Sequence, residues 1–303
     1  LPGSCGVSRI EADKRCYYCV NKDEQVDLDF KEIKKQLLES SGLSPNASVV
    51  QVVGDSAKYS LKGTEAARQF LITNLEDPNL LILWGYTGNG QNEDQELDVN
   101  QLVSSWVDED QSRSNRSLAN VVDYHTPLAL SDWGCNMSAT NRQFFLVCGD
   151  ARFGDDVISS DYLTDCLICL EGGVQSLRQI FNCLKRDKQV KIIYNLRGDK
   201  NPLCYSAAKN AYLDFLSAGE FLAELKEAVD KLKREKGFVN EDDIVSIKNT
   251  YFGDSTYHRR YLFNPERKDA DTKQFLFDHA WKQLLEEKLW DKLHLCEIQK
   301  AGI

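Results

Sequence analysis

An α/β chain with a doubly wound parallel sheet and a helical C-terminal portion is what this sequence predicts, on three observations. Short, unbroken apolar runs rich in β-branched residues alternate with segments of helical periodicity, the pattern of strands covered on both faces and joined by helices. Glycine-rich turns directly follow three of these runs. From about Gly219 onward the periodicity becomes helical.

The first run is SVVQVVG, Ser48 to Gly54, bounded by turn residues. The turn Gly54-Asp55-Ser56-Ala57-Lys58 comes next, and the spacing of Ala66, Ala67, Phe70 and Leu71 then predicts a helix. LLILW, Leu80 to Trp84, reads as a second strand. It ends in Gly85-Tyr86-Thr87-Gly88-Asn89-Gly90, where three glycines in six residues let the backbone approach a ligand closely. The acidic stretch QNEDQELD is the solvated start of a helix over DVNQLVSSWVDE, and residues 109–120 read as a polar surface loop. Further strands are expected at Leu118 to Tyr124, Phe144 to Val147, Cys166 to Leu170 and Val190 to Tyr194.

CLICL, Cys166 to Leu170, runs through Glu171-Gly172-Gly173 into Val174-Gln175-Ser176 and a helix spaced on Leu177, Ile180, Phe181 and Leu184. In such a strand-turn-helix unit the free N–H groups of the helix start face the carboxyl end of the strand, where a phosphate can be held. A lone Gly-Gly pair more often marks only a tight turn. Three glycine turns at strand carboxyl ends carry more weight, because in an open α/β sheet such loops converge on one crevice.

Beyond Gly219, GEFLAELKEAVDKLKREKGF is an amphipathic helix with apolar positions at Phe221, Leu222, Leu225, Val229 and Leu232. Lys273 to Leu295 is a second long helical pattern. Between them lies a polar connection with turn signals at Gly253-Asp254 and Asn264-Pro265. Its cluster His258-Arg259-Arg260 would suit an anion, although such clusters are more often a solvated face. The expected organisation is an N-terminal arm over 1–45, a nucleotide-binding core over 46–218 and a helical region over 219–303. No internal repeat or low-complexity segment interrupts it.

Composition narrows the function classes. At 303 residues the chain can bury a sizeable core, and 42% hydrophobic with 28% charged residues is ordinary for a globular protein. A net charge of −10 argues against nucleic-acid binding, which draws on basic patches. No apolar run approaches the roughly 18 residues of a membrane span, and the N-terminus lacks a signal-peptide stretch. The chain opens on Leu1 and its single methionine is Met137, from which an excised fragment or processed product is expected.

Of the 10 cysteines, Cys148, Cys166 and Cys169 fall within expected strands, where a free thiol is a small hydrophobe, and this fits a reducing compartment. Cys166 and Cys169 then face opposite sides of a strand and make no redox pair. Cys16-Tyr17-Tyr18-Cys19, with Cys5 upstream, has zinc-like spacing, but no partner pair or histidine follows, so no metal site is expected. The sequons at Asn46, Asn115 and Asn136 are common by chance and matter only on secretion.

For catalysis, His125 in DYHTP is the best single acid/base candidate, with a hydrogen-bonded loop histidine the favoured alternative. Gly-x-Ser-x-Gly, Walker A and His-Glu-x-x-His sequences are absent, and GYTGNG lacks the spacing of the GxGxxG fingerprint.

Val53-Gly54-Asp55-Ser56-Ala57-Lys58, Trp84-Gly85-Tyr86-Thr87-Gly88, Phe145-Leu146-Val147 and especially Leu170-Glu171-Gly172-Gly173 resemble the SLOG superfamily, within it the N-terminal cytosolic homology region of melastatin-type TRP (TRPM) channels. The family pattern is a GGAK-like first loop, a TGG-x-x-x-G second loop, an F-x-L-V-D-D-G-like strand and an L-E-G-G-x-x-x-T/S turn. Ile10-Glu11-Ala12-Asp13-Lys14-Arg15-Cys16 is similar to the Lys-Arg-Glu-Cys stretch that opens that region. The resemblance spans nearly the whole chain through short motifs. Gly54-Asp55 replaces a Gly-Gly pair, Cys148-Gly149-Asp150 stands where the pattern has Asp-Asp-Gly, and a long polar insertion separates Gly90 from Phe144.

The resemblance implies a Rossmann-like fold of SLOG type and a cytoplasmic nucleotide-sensing module that binds an ADP-ribose-like nucleotide without turnover. It needs no cofactor. It implies phosphates on the amides of 55–58 and 172–176, hydroxyls of Thr87 and Ser176 adding hydrogen bonds, and a channel or a second copy of the chain as partner. Location at the cytosolic face of the plasma membrane would follow if a channel is attached. The same superfamily holds cytokinin-activating phosphoribohydrolases, whose PGG-x-GT-x-x-E pattern uses its final Glu, with an upstream Arg, to cleave a nucleotide N-glycosidic bond. Aligned on Gly172-Gly173, this chain has Gln179 there, which cannot exchange a proton, and Glu171 lies on the other side of the turn. A hydrolase is therefore the alternative reading, and a ligand-free scaffold for subunit contact the third.

Overall fold

The computed structural model describes residues 7–12, 15–22, 29–54, 58–85, 97–122, 143–149, 162–198, 203–206, 211–215, 217–252, 260–261 and 290–298. The chain forms two compact units, Leu1–Val53 with Arg68–Ile168, and Gly54–Ala67 with Cys169–Ile303.

The first unit contains β1 (Val7–Ala12), β2 (Arg15–Lys22), α1 (Phe30–Ser40) and β3 (Ser48–Gly54). Helix α2 (Leu61–Leu75) enters it at Arg68, and β4 (Leu80–Gly85), α3 (Val99–Asp108), α4 (Gln111–Asn115), β5 (Ser117–Val122) and β6 (Gln143–Gly149) follow. Its strands lie in the order β1-β2-β6-β5-β4-β3. Only β1 with β2 is antiparallel. The other pairings are parallel, with Val49 opposite Leu81 and Trp84 opposite Ala119. Parallel strands are covered on both faces, which explains why Val49 to Val52 and Leu81 to Trp84 are buried without alternation.

Helix α1 starts on Asp29, whose carboxylate accepts the amides of Lys31 and Glu32. It buries Ile33, Leu37 and Leu38 against Val49, Leu81, Leu83 and Leu118. The polar residue inside the SVVQVVG run is satisfied in place, since Thr164 Oγ1 donates to Gln51 Oε1 at 3.0 Å. Asp165 accepts the Val49 amide at 2.8 Å and pairs with Lys34, fastening the approach to the next strand. Arg116 is buried and donates to the carbonyls of Leu75 (2.6 Å) and Leu80 (3.4 Å), while Arg113 lies over the Trp106 ring at 4.6 Å from its centroid.

The chain passes into the second unit along β7 (Cys166–Leu170). There follow α5 (Val174–Lys185), β8 (Gln189–Tyr194), β9 (Leu203–Ser206), β10 (Ala211–Phe215), α6 (Ala218–Lys236), α7 (Glu241–Phe252), β11 (Arg260–Tyr261) and β12 (Leu293–Glu297). Strands run β7-β8-β12, with β12 parallel to β8, beside a small sheet in the order β11-β10-β9. Helix α6 has a Ser217/Glu220 capping box at its start and ends on left-handed Gly237.

This is the α/β, Rossmann-like class that the alternating pattern predicts: parallel strands flanked by helices. No helix among the described residues is long and apolar enough to cross a membrane. Differences fall where periodicity is shortest. Helical spacing carries the last pattern through Leu295, but Leu293–Glu297 is strand β12, because β8 presents it with a row of backbone groups to pair. The region 219–303 is thus not helical throughout. Residues 109–120 are not one loop, since Asp110 caps the short helix α4 and β5 begins at Ser117. Asn249 to Phe252, expected in a polar connection, close α7. The N-terminal arm holds the β1–β2 hairpin and α1.

The start of α2 rests on one carbonyl. Ser60 donates both its amide and its hydroxyl to Leu196 O at 3.0 Å, and the same hydroxyl accepts Gly63 N at 3.0 Å. A Cβ on Gly63 would stand 1.7 Å from that oxygen. Helix propensity alone would make Gly63→Ala stabilising by about 1 kcal/mol. Because backbone must move to admit the methyl, the substitution is instead expected to lower stability by about 1–3 kcal/mol, read as a fall in the urea midpoint.

Candidate functional site

Two consecutive left-handed residues make the β7–α5 turn, Glu171 (φ 64°) and Gly172 (φ 81°). A non-glycine residue in this region costs about 1–3 kcal/mol and persists only where its surroundings hold it. Glu171 is so held. Its amide donates to Ile193 O at 2.8 Å, its carbonyl accepts Gly219 N at 3.0 Å, and its Oε2 accepts Leu196 N at 2.6 Å. The Ser217 hydroxyl supplies a further bond to the carboxylate. Burial, opposed in part by these bonds and aided by Glu220, pushes the Glu171 carboxyl up to about 7.

Gly172 donates to Leu170 O and accepts from Ala218 N, at 2.8 and 2.9 Å. A Cβ there would lie 2.6 Å from Cys169 Sγ and 3.1 Å from the Ala218 methyl. Of the two glycines of the turn, the strained backbone falls on Gly172. Gly173 is extended (φ −112°, ψ −160°), and a Cβ on it would meet nothing within 4 Å.

Gly173 is also the N-cap of α5 and supplies no side-chain oxygen to the first amides of the helix. Those amides have no acceptor within a helix. The other described helices solve this with a side chain: Asp29 for α1, Ser60 for α2, Asp98 for α3, Asp110 for α4, Ser217 for α6 and Asn240 for α7. Among these described helices α5 alone has no side-chain bond from its N-cap residue, and a Cβ on that residue would meet nothing within 4 Å.

Gly54 and Tyr59 are each bonded to this strand-turn-helix unit. Ser176 Oγ, in the first turn of α5, donates to Gly54 O at 2.9 Å, and Tyr59 Oη donates to Leu170 O at 2.9 Å. Lys58, the residue before Tyr59, is half-buried. Of the expected site residues, the structure thus brings together Gly54, Glu171, Gly172, Gly173 and Ser176, with Val174 and Gln175 opening α5. The Ser176 proton is committed to Gly54, which leaves its oxygen as an acceptor. Gly85 ends β4 in the first unit, exposed. Asp55, Ser56, Ala57, Tyr86, Thr87, Gly88, Asn89, Gly90 and His125 lie outside the described residues, as do Cys5 and residues 273–289. Cys16 and Cys19 are both in β2, and Gln179 is buried in α5.

Tyr59, Leu196 and Ser217 escape the sequence reading, yet they hold the turn in place. Arg197 is buried, and burial pulls its guanidinium down to about 10 despite the attraction of Glu220. One signal pointed to the loop after β8: Asn195 and Gly198, the residue types most tolerant of positive φ, sit three apart after VKIIY and adopt 67° and 62°.

Searched against protein-family models, the chain matches none, and no curated protein matches it.

Alanine separates the two glycines. Gly172→Ala should cost about 1–3 kcal/mol, since it adds a methyl against Cys169 and a strained φ. Gly173→Ala should change stability by less than about 0.5 kcal/mol. Chemical denaturation of both variants checks the order, and equal losses would refute the assignment.

Proposed function

We propose that the protein is a nucleotide-sensing module of the SLOG kind, resembling the N-terminal region of melastatin-type TRP channels, which binds an ADP-ribose-like nucleotide and does not turn it over. The observation that carries this reading is the start of α5 at Gly173, which offers no side-chain cap and where a Cβ would meet nothing within 4 Å, with Gly54 bonded to Ser176 and Tyr59 to Leu170 beside it. Helix-start amides and the positive end of the helix dipole together favour a phosphate. The proposal places a diphosphate across the amides of 173–176 and the 55–58 segment. Its location is the cytoplasm, and its effect is to order these loops for a partner, either a channel or a second copy of the chain.

Absence of turnover rests on Gln179. Buried in α5, it stands where the phosphoribohydrolase pattern has its acid, and an amide exchanges no proton. The carboxylate nearest the turn, Glu171, is 1% exposed and bonded to Leu196 N, so it is placed to hold structure and not to reach a glycosidic bond.

The test is a thermal-shift panel of ADP-ribose, cyclic ADP-ribose, AMP and NAD on wild type and Gly173→Val. A ligand at 100-fold its dissociation constant should add about 2.7 kcal/mol to wild type. Gly173→Val should fold but lose the shift, because its side chain occupies the open space. No shift with any of the four at millimolar concentration would favour the scaffold reading. Release of base at roughly 1 s⁻¹ or faster by wild type would favour the hydrolase.

A further inference from the structure

Tyr59 is 0% exposed, and packing accounts for its ring but not for its oxygen. A buried hydroxyl costs free energy unless it is bonded, and a phenylalanine would fill the same space. The Tyr59 hydroxyl donates to Leu170 O at 2.9 Å, a carbonyl that already accepts Gly172 N at 2.8 Å across left-handed Glu171. Leu170 O is thus bonded without Tyr59, and what the second bond adds is register. Ser60, the next residue, gives its amide and its hydroxyl to Leu196 O at 3.0 Å, while Leu196 N is held by the Glu171 carboxylate at 2.6 Å. Tyr59 with Ser60, Leu196, and Glu171 with Leu170 therefore close a ring of bonds within the second unit, and Lys58 joins it at the Tyr59 corner.

We propose that Tyr59 is a positioning residue that makes the anion site selective for a diphosphate: through its bond to Leu170 it sets Lys58 at a fixed spacing from the start of α5, so that one phosphoryl group on the amides of 173–176 carries the second to Lys58. This rests on the anion site proposed above and names what that site selects. A single phosphate needs only the helix-start amides. A diphosphate draws on the second contact as well, and gains most from it when the spacing is set before binding. Tyr59→Phe keeps the ring and leaves Leu170 O bonded to Gly172 N, so the fold and the helix start persist while the spacing relaxes.

The ratio of two affinities tests it. The ¹⁵N-labelled full chain is titrated with pyrophosphate and, separately, with inorganic phosphate at one pH and ionic strength, each followed at the amides of 173–176. Wild type should bind pyrophosphate at least about tenfold more tightly than phosphate. Tyr59→Phe should weaken pyrophosphate by about three- to tenfold, the worth of one hydrogen bond, and phosphate by less than about twofold. Should that variant fail to fold, Lys58→Gln reads the same point, since it keeps the clamp, removes the charge and should lower the same ratio. Thr164→Val, which removes the buried bond to Gln51 in the first unit, should change neither affinity and so separates positioning from a general loss of stability. Binding of neither anion at 173–176 up to millimolar concentration would overturn the anion site and this inference with it. Binding with no preference for pyrophosphate, an unchanged ratio in Tyr59→Phe or Lys58→Gln, equal losses of both anions, or the same change in Thr164→Val would leave the site standing and overturn the role of Tyr59.

Discussion

The buried Glu171 carboxylate, which accepts Leu196 N at 2.6 Å and a further backbone bond from Asn195, is the group on which the second unit depends. Leu196 carries the rest of the assembly through its carbonyl, which takes both donors of Ser60 and sets where α2 begins. The Glu171 backbone binds β8 on one side and α6 on the other. A left-handed glutamate is tolerated because each of these bonds over-determines it. Loss of the carboxylate bond would leave a buried amide unsatisfied, at a cost of about 1–3 kcal/mol, and would release the strain in the same step.

That arrangement also explains the contrast between the two glycines. Gly172 is consumed by packing, wedged among Cys169, Ser176 and Ala218. Gly173 is spared by it: it gives α5 no side-chain cap, and a Cβ on it would meet nothing within 4 Å. A protein that caps its other described helices with Asp, Ser or Asn has no steric reason to leave this one bare. On the proposed reading, binding an anion supplies a chemical reason.

Much of the fold was legible because parallel strands buried on both faces leave unbroken apolar runs: SVVQVVG, LLILW, CLICL and VKIIY all became strands. Leu293–Glu297 misled because LHLCE is too short to distinguish strand from helix by period, and its strand state comes from pairing with β8. Residues 109–120 misled because the polar character that suggested a loop belongs to Asp110, a cap, and to Arg113 and Arg116, which bond inward to Trp106, Leu75 and Leu80 carbonyls. At the turn, the sequence marks the glycines but not the roles that separate them. Which of Gly172 and Gly173 carries the positive φ is decided by Cys169 and Ala218, and Ala218 lies 46 residues further on than Gly172. Tyr59, Leu196 and Ser217 were invisible for the same reason: their partners are remote in sequence.

The central claim, that bare amides at the start of α5 form an anion site, is tested most directly by following backbone amide resonances of the ¹⁵N-labelled protein during titration with inorganic pyrophosphate. The account predicts saturable shifts at residues 173–176 and at Lys58, absent in Gly173→Val and weakened by salt, while the amides of α1 stay fixed. Shifts scattered over exposed lysines, or none at 173–176 up to millimolar pyrophosphate, would contradict it.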